Sequence, residues 1–321
     1  MRAMMNVLIV RTSSMGDLIH TLPAVTELKT HYPNIQLSWL AEENFADIPR
    51  LHPAIASVLV FPWRRWRKSL LSTRNWSEMR ALRASLTGTD WDLVIDAQGL
   101  LKSAIPARLS HAPLAGYDWH SAREPIASLF YNRRCRIDRA LPAVERNRRL
   151  FGKVFGYEVS GLPCFGIAAG ARPEWAPSGP YTVFLHATSR ASKLWPETHW
   201  IELGHRLSQD GELCLPWGNE DERERAQRLA AALPRAIVTP RMSLCQAAGL
   251  LGHARAVVGV DTGLTHLANA LDVPLAAIYT DTDPELTGVV ETRRAANLGR
   301  AGACPGVDEV LVSLKAHGGM E

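Results

Sequence analysis

At 321 residues, 46% of them hydrophobic and 21% charged, the chain holds enough apolar material for two ordinary cores and is long for one. Long apolar stretches such as 247–260 are broken by charge, here by His253 and Arg255, so none reaches the roughly 20 residues that a membrane-spanning helix requires. Its net charge of +4 is divided unevenly, with 22 Lys and Arg against 14 Asp and Glu in residues 1–160 and 14 against 18 in the remainder, which points an anionic partner towards the first half.

The N-terminus runs directly into the strand-like Val7-Leu8-Ile9-Val10 with no apolar leader and small-residue cleavage site, so a cytoplasmic protein is expected. Five dispersed cysteines, Cys135, Cys164, Cys214, Cys245 and Cys304, form no CxxC pair and no zinc spacing. They read as reduced packing residues, and no metal or other cofactor is expected from them.

Short apolar runs predict strands at 6–11, 36–40, 57–61 and 92–96, with helices in the gaps. The first helix is predicted over 17–31, where Leu18, Leu22, Val25 and Leu28 repeat at helical spacing and Pro23 falls in the opening turn. Around 160–180 the texture turns to Gly, Pro and Ala, which marks a linker between domains at 1–165 and 175–321. Strands then resume at 181–186, 212–216, 236–239, 256–260 and 275–279, interleaved with helices near 197–208, 221–233 and 264–271 and followed by a last helix at about 307–316. Alternating strands and helices in both halves predict an α/β protein of two doubly wound, Rossmann-like domains facing across a cleft, with ligands beyond the carboxyl ends of the strands.

Four segments lie where such ligands bind. Thr12-Ser13-Ser14-Met15-Gly16-Asp17 follows the first strand and opens a helix, so Ser13, Ser14 and Gly16 offer polar groups at a helix N-terminus and Asp17 either caps that helix or faces a ligand. His186-Ala187-Thr188-Ser189-Arg190 ends a strand and leads to Lys193, whose ammonium either neutralises phosphate or is simply solvated. Asp261-Thr262-Gly263-Leu264-Thr265-His266 passes from a buried strand through a glycine turn into a helix, a shape suited to phosphate oxygens. Glu222, after Trp217-Gly218, can accept from ribose hydroxyls or serve only as a first-turn acid. Neither a GxGxxG nor a GxxxxGK[ST] signature is present, which disfavours nicotinamide chemistry and P-loop phosphoryl transfer.

Two patterns carry a competing bland reading. Asp281-Thr282-Asp283 spells a DxD, by which many sugar transferases chelate a divalent metal, but three-residue matches are cheap. Pro62-Trp63-Arg64-Arg65-Trp66-Arg67-Lys68 is either a solvated basic helix face or a patch for an anionic surface, with Arg forks on phosphate or carboxylate and Trp at the interface.

Five stretches in order, 12–17, Val94-Ile95-Asp96-Ala97-Gln98-Gly99-Leu100, 121–133, Phe184-Leu185-His186-Ala187-Thr188 and 260–267, resemble the heptosyltransferases of glycosyltransferase family nine. The resemblance covers nearly the whole chain and implies the glycosyltransferase B fold. It implies an ADP-heptose donor, a Kdo-lipid A acceptor and metal-independent transfer with inversion, in the inner core of lipopolysaccharide at the inner face of the cytoplasmic membrane, with no nucleic acid as partner. By carry-over, Asp17 is the general base and Lys193 holds the departing diphosphate beside Thr188 and Ser189. Glu222 binds the ribose, Met242 lies against the adenine, and Asp261, Thr262, Gly263 and His266 line the phosphates and heptose. Ser13, Ser14, Gly16, Arg64, Arg65, Arg67, Lys68 and Arg123 face the acidic acceptor. Thr280-Asp281 stands where the family pattern has Gly-Pro, and the tail from Glu291 matches weakly. A heptose acceptor within the same family, and a nucleotide-sugar binding module without turnover, are the alternatives.

Overall fold

The computed structural model describes residues 5–69 and 72–318, which form two compact units dividing between Gly166 and Ile167. In the first unit six parallel strands, β1 (Asn6–Val10), β2 (Gln36–Ala41), β3 (Ile55–Val60), β4 (Leu93–Asp96), β5 (Leu114–Tyr117) and β6 (Arg133–Cys135), lie in the order 3-2-1-4-5-6. The second unit repeats the arrangement with β7 (Tyr181–Leu185), β8 (Glu212–Leu215), β9 (Ala236–Val238), β10 (Ala256–Val260), β11 (Leu275–Ile278) and β12 (Ala295–Leu298), in the order 12-11-10-7-8-9. Counted within its own unit, that is again 3-2-1-4-5-6, the doubly wound order whose direction reverses between the first and fourth strands.

Both expected Rossmann-like domains are present. The switch points fall between β1 and β4 and between β7 and β10. Segments leaving the carboxyl ends of those four strands diverge there and leave room for a ligand. Central strands are buried on both faces, which is why Val7-Leu8-Ile9-Val10 reads as a continuous apolar run.

One expectation needs correction. The helix anticipated over 17–31 is two helices, Met15–Ile19 and Leu22–His31. In an unbroken helix Pro23 would offer no N–H to the Ile19 carbonyl and its ring would crowd it, so the chain stops and restarts with Pro23 in the new first turn. Ser14 and Asp17 thereby belong to a short helix of their own, directly after β1.

On one face of the first sheet, Leu8, Val10, Leu40 and Val94 pack against Trp66, Leu86, Ala104, Ala107, Ala127 and Tyr131. Those partners come from the helices Trp63–Trp66, Thr73–Thr87 and Leu101–Arg108, and from the 3₁₀ helix Pro125–Phe130 with Tyr131 directly after it, so these elements share one layer. Of the helix Thr73–Thr87 only Asn75 and Leu86 are buried, and Leu86 holds it down with about 1.5–3 kcal/mol of apolar burial.

Candidate functional site

In the first unit the site begins with Arg11, one residue past β1 and almost wholly buried. Its Nη2 donates to Asp17 Oδ1 at 2.7 Å, and its Nη1 donates to the Ala97 carbonyl beyond β4. Asp17 Oδ2 accepts from the backbone N–H and Oγ of Ser14, at 3.0 and 3.1 Å, and lies 3.4 Å from Arg123 Nη1. Burial by itself would raise the Asp17 pKa, but the Arg11 guanidinium, then Arg123 and the Ser14 N–H, hold it well below the usual carboxylate range. Capping and facing a ligand are therefore compatible: one oxygen closes the helix N-terminus, and the carboxylate sits ionised at the switch point.

The loop carrying Asp17 is clamped from β4. Gln98 Oε1 accepts from both the backbone N–H and Oγ1 of Thr12 at 2.8 Å, and Gln98 Nε2 donates to Ser13 Oγ at 3.4 Å. Lys102 Nζ donates to the same Ser13 Oγ at 2.8 Å. Asp96, fully buried at the end of β4, accepts from the N–H groups of Gln98 and Gly99, from Ser103 Oγ and from Tyr131 OH. Burial raises its pKa and these four donors partly offset the rise. Gly99 has φ +69°, and a Cβ there would lie 3.3 Å from the Arg123 backbone nitrogen; glycine alone lets the turn pass this close. Buried Glu42, at the end of β2, accepts from the Arg64 N–H at 3.2 Å.

The basic run divides. Arg64, Arg67 and Lys68 are exposed. Arg65, by contrast, pairs with Glu43 at 3.2 Å and Glu78 at 2.8 Å. Of its two tryptophans, Trp66 is buried and so not interfacial, while Trp63 is half-buried. Trp66 is buried edge-on against Phe61 and donates to Glu78 Oε2 at 2.9 Å, while Trp63 stacks on Phe61. In this short helix the rings face the sheet, and their apolar area is spent on the core.

In the second unit Lys193 ends a 3₁₀ turn, Ala191–Lys193, and donates to Asp261 Oδ2 at 2.6 Å. Thr282 Oγ1 donates to the same oxygen at 2.8 Å, His266 Nε2 stands 3.8 Å from Oδ1, and Thr188 Oγ1 donates to the Asp261 carbonyl at 2.8 Å. Burial would raise the Asp261 pKa, but hydrogen bonds from His266, Lys193 and Thr282 hold it far below the ordinary range. Asp261 thus gathers the loop after β7 and the loop after β10 at the second switch point. Thr262 stands at the N-cap position of the helix Gly263–Ala270 without a side-chain cap bond, so the N–H groups of Gly263 and Leu264 precede the helix's own hydrogen bonding and carry its positive end. An ammonium beside such an end suits a diphosphate.

Ser189 is exposed near this cluster, and Met242 is half-buried ahead of the helix Leu244–Gly252. Glu222 is less available than anticipated: its carboxylate accepts from the Gly218 N–H at 2.7 Å and Asn219 Nδ2 at 3.0 Å, closing the N-terminus of its own helix. A ribose hydroxyl would have to share those oxygens. Both DxD carboxylates also have protein donors. Asp281 accepts from Ser192 Oγ at 2.6 Å, and Asp283 caps the helix Pro284–Thr287 through the Glu285 N–H. Among the described residues no group of three His, Cys, Asp or Glu side chains could hold a metal ion. Thr280 Oγ1 donates to the Ser192 carbonyl at 2.8 Å, so the divergent Thr280-Asp281 pair fastens the turn that carries Lys193.

Arg11, Gln98, Lys102 and Thr282 had no assigned role from sequence. Gln98 stood inside a stretch of the resemblance, which was a usable signal. Arg11 had only its place at the end of a strand.

The family model described as glycosyltransferase family 9 (heptosyltransferase) matches residues 79–315. The chain is 48% identical over 288 residues to lipopolysaccharide heptosyltransferase 1 of Escherichia coli strain K12, covering 88% of this chain and 90% of that one. It is 24% identical, over 88% of its length and 85% of the relative's, to lipopolysaccharide heptosyltransferase 2 of Salmonella typhimurium. Among solved structures, E. coli heptosyltransferase WaaC with ADP superposes with a TM-score of 0.90 at 43% identity, over 98% of this chain and 100% of that one. The same enzyme with ADP-2-deoxy-2-fluoro heptose gives 0.84 at 43% identity, over 97% of each chain. The chain belongs to glycosyltransferase family 9, the heptosyltransferases.

Proposed function

We propose that this enzyme moves L-glycero-D-manno-heptose from ADP-heptose to the first Kdo of Kdo-lipid A, with inversion. The observation that carries the reading is the pinned, ionised Asp17 at the β1/β4 switch point of one unit, in a chain 48% identical to an enzyme named heptosyltransferase 1 and 24% identical to one named heptosyltransferase 2.

In the proposed step the acceptor hydroxyl oxygen bonds to the anomeric carbon of heptose as the bond from that carbon to the phosphate oxygen breaks. The electron pair leaves with ADP, and the hydroxyl proton passes to Asp17. An Asp17 far below the ordinary range is a weak base for a resting alcohol, so the proton moves late, once the new bond has made the oxygen acidic. The negative carboxylate also opposes the positive charge growing on the sugar. Arg123, half-exposed beside Asp17, and the exposed Arg64, Arg67 and Lys68 are assigned to the acidic acceptor, with Ser13, Ser14 and Gly16 shaping the loop. Arg65, already paired twice, supports rather than binds.

On the donor, Lys193 and the first-turn N–H groups of the helix Gly263–Ala270 take the diphosphate. Thr188, Ser189, Asp261, Thr262 and His266 position phosphate and sugar, and Met242 and Glu222 the nucleoside. Charge on the leaving group is met without a metal. The acceptor is a membrane glycolipid, so the enzyme works peripherally at the inner face of the cytoplasmic membrane; among the described residues no helix is long and apolar enough to cross one. The test offers ADP-heptose with either deacylated Kdo-lipid A or its monoheptosylated product and follows product mass. Transfer to the first acceptor alone is expected. Transfer to the second alone would assign the enzyme to heptose-on-heptose chemistry, and ADP binding without any transfer would reduce it to a binding module.

A further inference from the structure

The layer formed by the helices Thr73–Thr87, Leu101–Arg108 and the 3₁₀ helix Pro125–Phe130 turns its inner side to the first sheet. Its outer side is unusual for a surface. Large apolar side chains stand exposed on all three elements or at their ends: Trp76 at 52%, Ile105 at 51%, Leu109, the C-cap residue of its helix, at 38%, Ile126 at 53% and Leu129 at 60%. Five of the ten large apolar residues exposed among the described ones thus belong to this one layer. Scattered single exposures need no explanation, but a concentration of them marks an interaction surface.

Helical spacing aligns the set. Ile105 and Leu109 are four residues apart on one helical face, and Ile126 and Leu129 are three apart, which superposes them on a 3₁₀ helix. Trp76, Arg80 and Arg83 follow at intervals of four and three along their own helix. Arg80 and Arg83 are exposed and make no ion pair among the described residues. With the exposed Arg67 and Lys68 in the preceding segment, the layer presents apolar side chains among unneutralised cations. Trp76 differs from Trp66: its ring points away from the core, where an amphipathic indole suits the boundary between headgroups and acyl chains.

We infer that the outer side of this layer docks on an anionic phospholipid bilayer, with Arg80 and Arg83 on lipid phosphates and Trp76, Ile105, Ile126 and Leu129 at the acyl boundary. Charge selects this occupant. A protein partner would leave the two arginines needing carboxylates, whereas a bilayer supplies both phosphate and hydrocarbon along one plane. The inference rests on the proposed use of a membrane glycolipid as acceptor. It adds which face meets the membrane.

The experiment uses the full-length protein, sedimented with phosphatidylcholine vesicles with and without phosphatidylglycerol, at low and high salt. Wild type is expected to partition onto the phosphatidylglycerol vesicles and to be released by salt. Arg80→Glu/Arg83→Glu should lose at least about tenfold in partitioning, as the loss of two surface cations implies. Ile126→Ser/Leu129→Ser should weaken binding while leaving the salt response in place. Transfer to a water-soluble deacylated acceptor should stay at wild-type rate in both variants, which also shows that they are folded. Equal partitioning of wild type and the Arg variant, or no binding of wild type to anionic vesicles, overturns the inference. Failure of wild type on the soluble acceptor instead strikes the proposed reaction, so the two failures are distinguishable.

Discussion

Arg11 and Asp17 hold each other in place: Nη2 of the buried guanidinium lies 2.7 Å from Oδ1 of a carboxylate that also closes the N-terminus of its own short helix. The pair fixes where the carboxylate points and keeps it ionised. Its folded pKa is depressed, so its contribution to stability is complete above the unfolded value near 4 and fades only as pH falls through a much lower value. For the wild-type enzyme, kcat/KM should therefore show no acid limb from Asp17 at pH 5 or above. In Arg11→Met the main counter-charge is gone and burial remains, so the Asp17 pKa should rise and an acid limb should enter the profile. Breaking a buried pair also costs about 3–5 kcal/mol of stability, so the pH profile is read below the variant's melting temperature.

Lys193 and Asp261 form the corresponding pair in the second unit, 2.6 Å apart. A diphosphate that replaces Asp261 as the partner of Lys193 gains a charge-assisted hydrogen bond. Lys193→Ala is expected to lower turnover about 10²–10³-fold and to weaken ADP binding by calorimetry. Wild-type turnover in Lys193→Ala would remove it from the leaving-group role.

The DxD carboxylates already serve Ser192 and the Glu285 N–H. Transfer should continue at an unchanged rate with excess EDTA. Asp283→Ala should cost about 1 kcal/mol of stability through its lost cap and leave turnover within a few-fold. A rate abolished by EDTA and restored by a divalent ion would contradict this.

Two buried imidazoles set acid stability. Burial pushes both His52 and His186 down to about 4. Both rings are held neutral in the fold, whereas the unfolded chain takes up protons below about 6.5. As pH falls from about 6.5 towards 4 the unfolded state binds more protons, so stability should fall across that window, by up to about 1.4 kcal/mol per pH unit for each ring. Urea unfolding at steps between pH 7 and pH 4.5 measures the slope, and His52→Gln should lose part of it. A flat profile would mean that the rings are already protonated or solvated when folded.

What could be read from sequence followed physical range. Strands such as β1, β7 and β10 show as apolar runs because burial on both faces demands them. Leu114–Tyr117, Arg133–Cys135 and Ala295–Leu298 carry no such run; they are strands because a neighbour's backbone pairs with them. Gly116 in β5 makes sense only beside the Tyr131 ring, 2.5 Å from where a Cβ would be. Asp17, Lys193 and Asp261 were legible because strand ends before helices are ligand positions in this fold class. Gln98 takes its role from Thr12, 86 residues away, and no local pattern encodes that contact. Trp66 was misread for the same reason, and the ion pair of Arg65 was equally invisible, since their shared partner Glu78 lies on the following helix.

The central claim is that Asp17 accepts the proton in the step that joins heptose to acceptor. Single-turnover transfer from ADP-heptose to deacylated Kdo-lipid A, followed by product mass in wild type and Asp17→Ala, tests it most directly, with ADP affinity measured alongside. Loss of turnover by at least about a hundredfold with ADP affinity near wild type is the expected result. Turnover near that of wild type in the variant would contradict it.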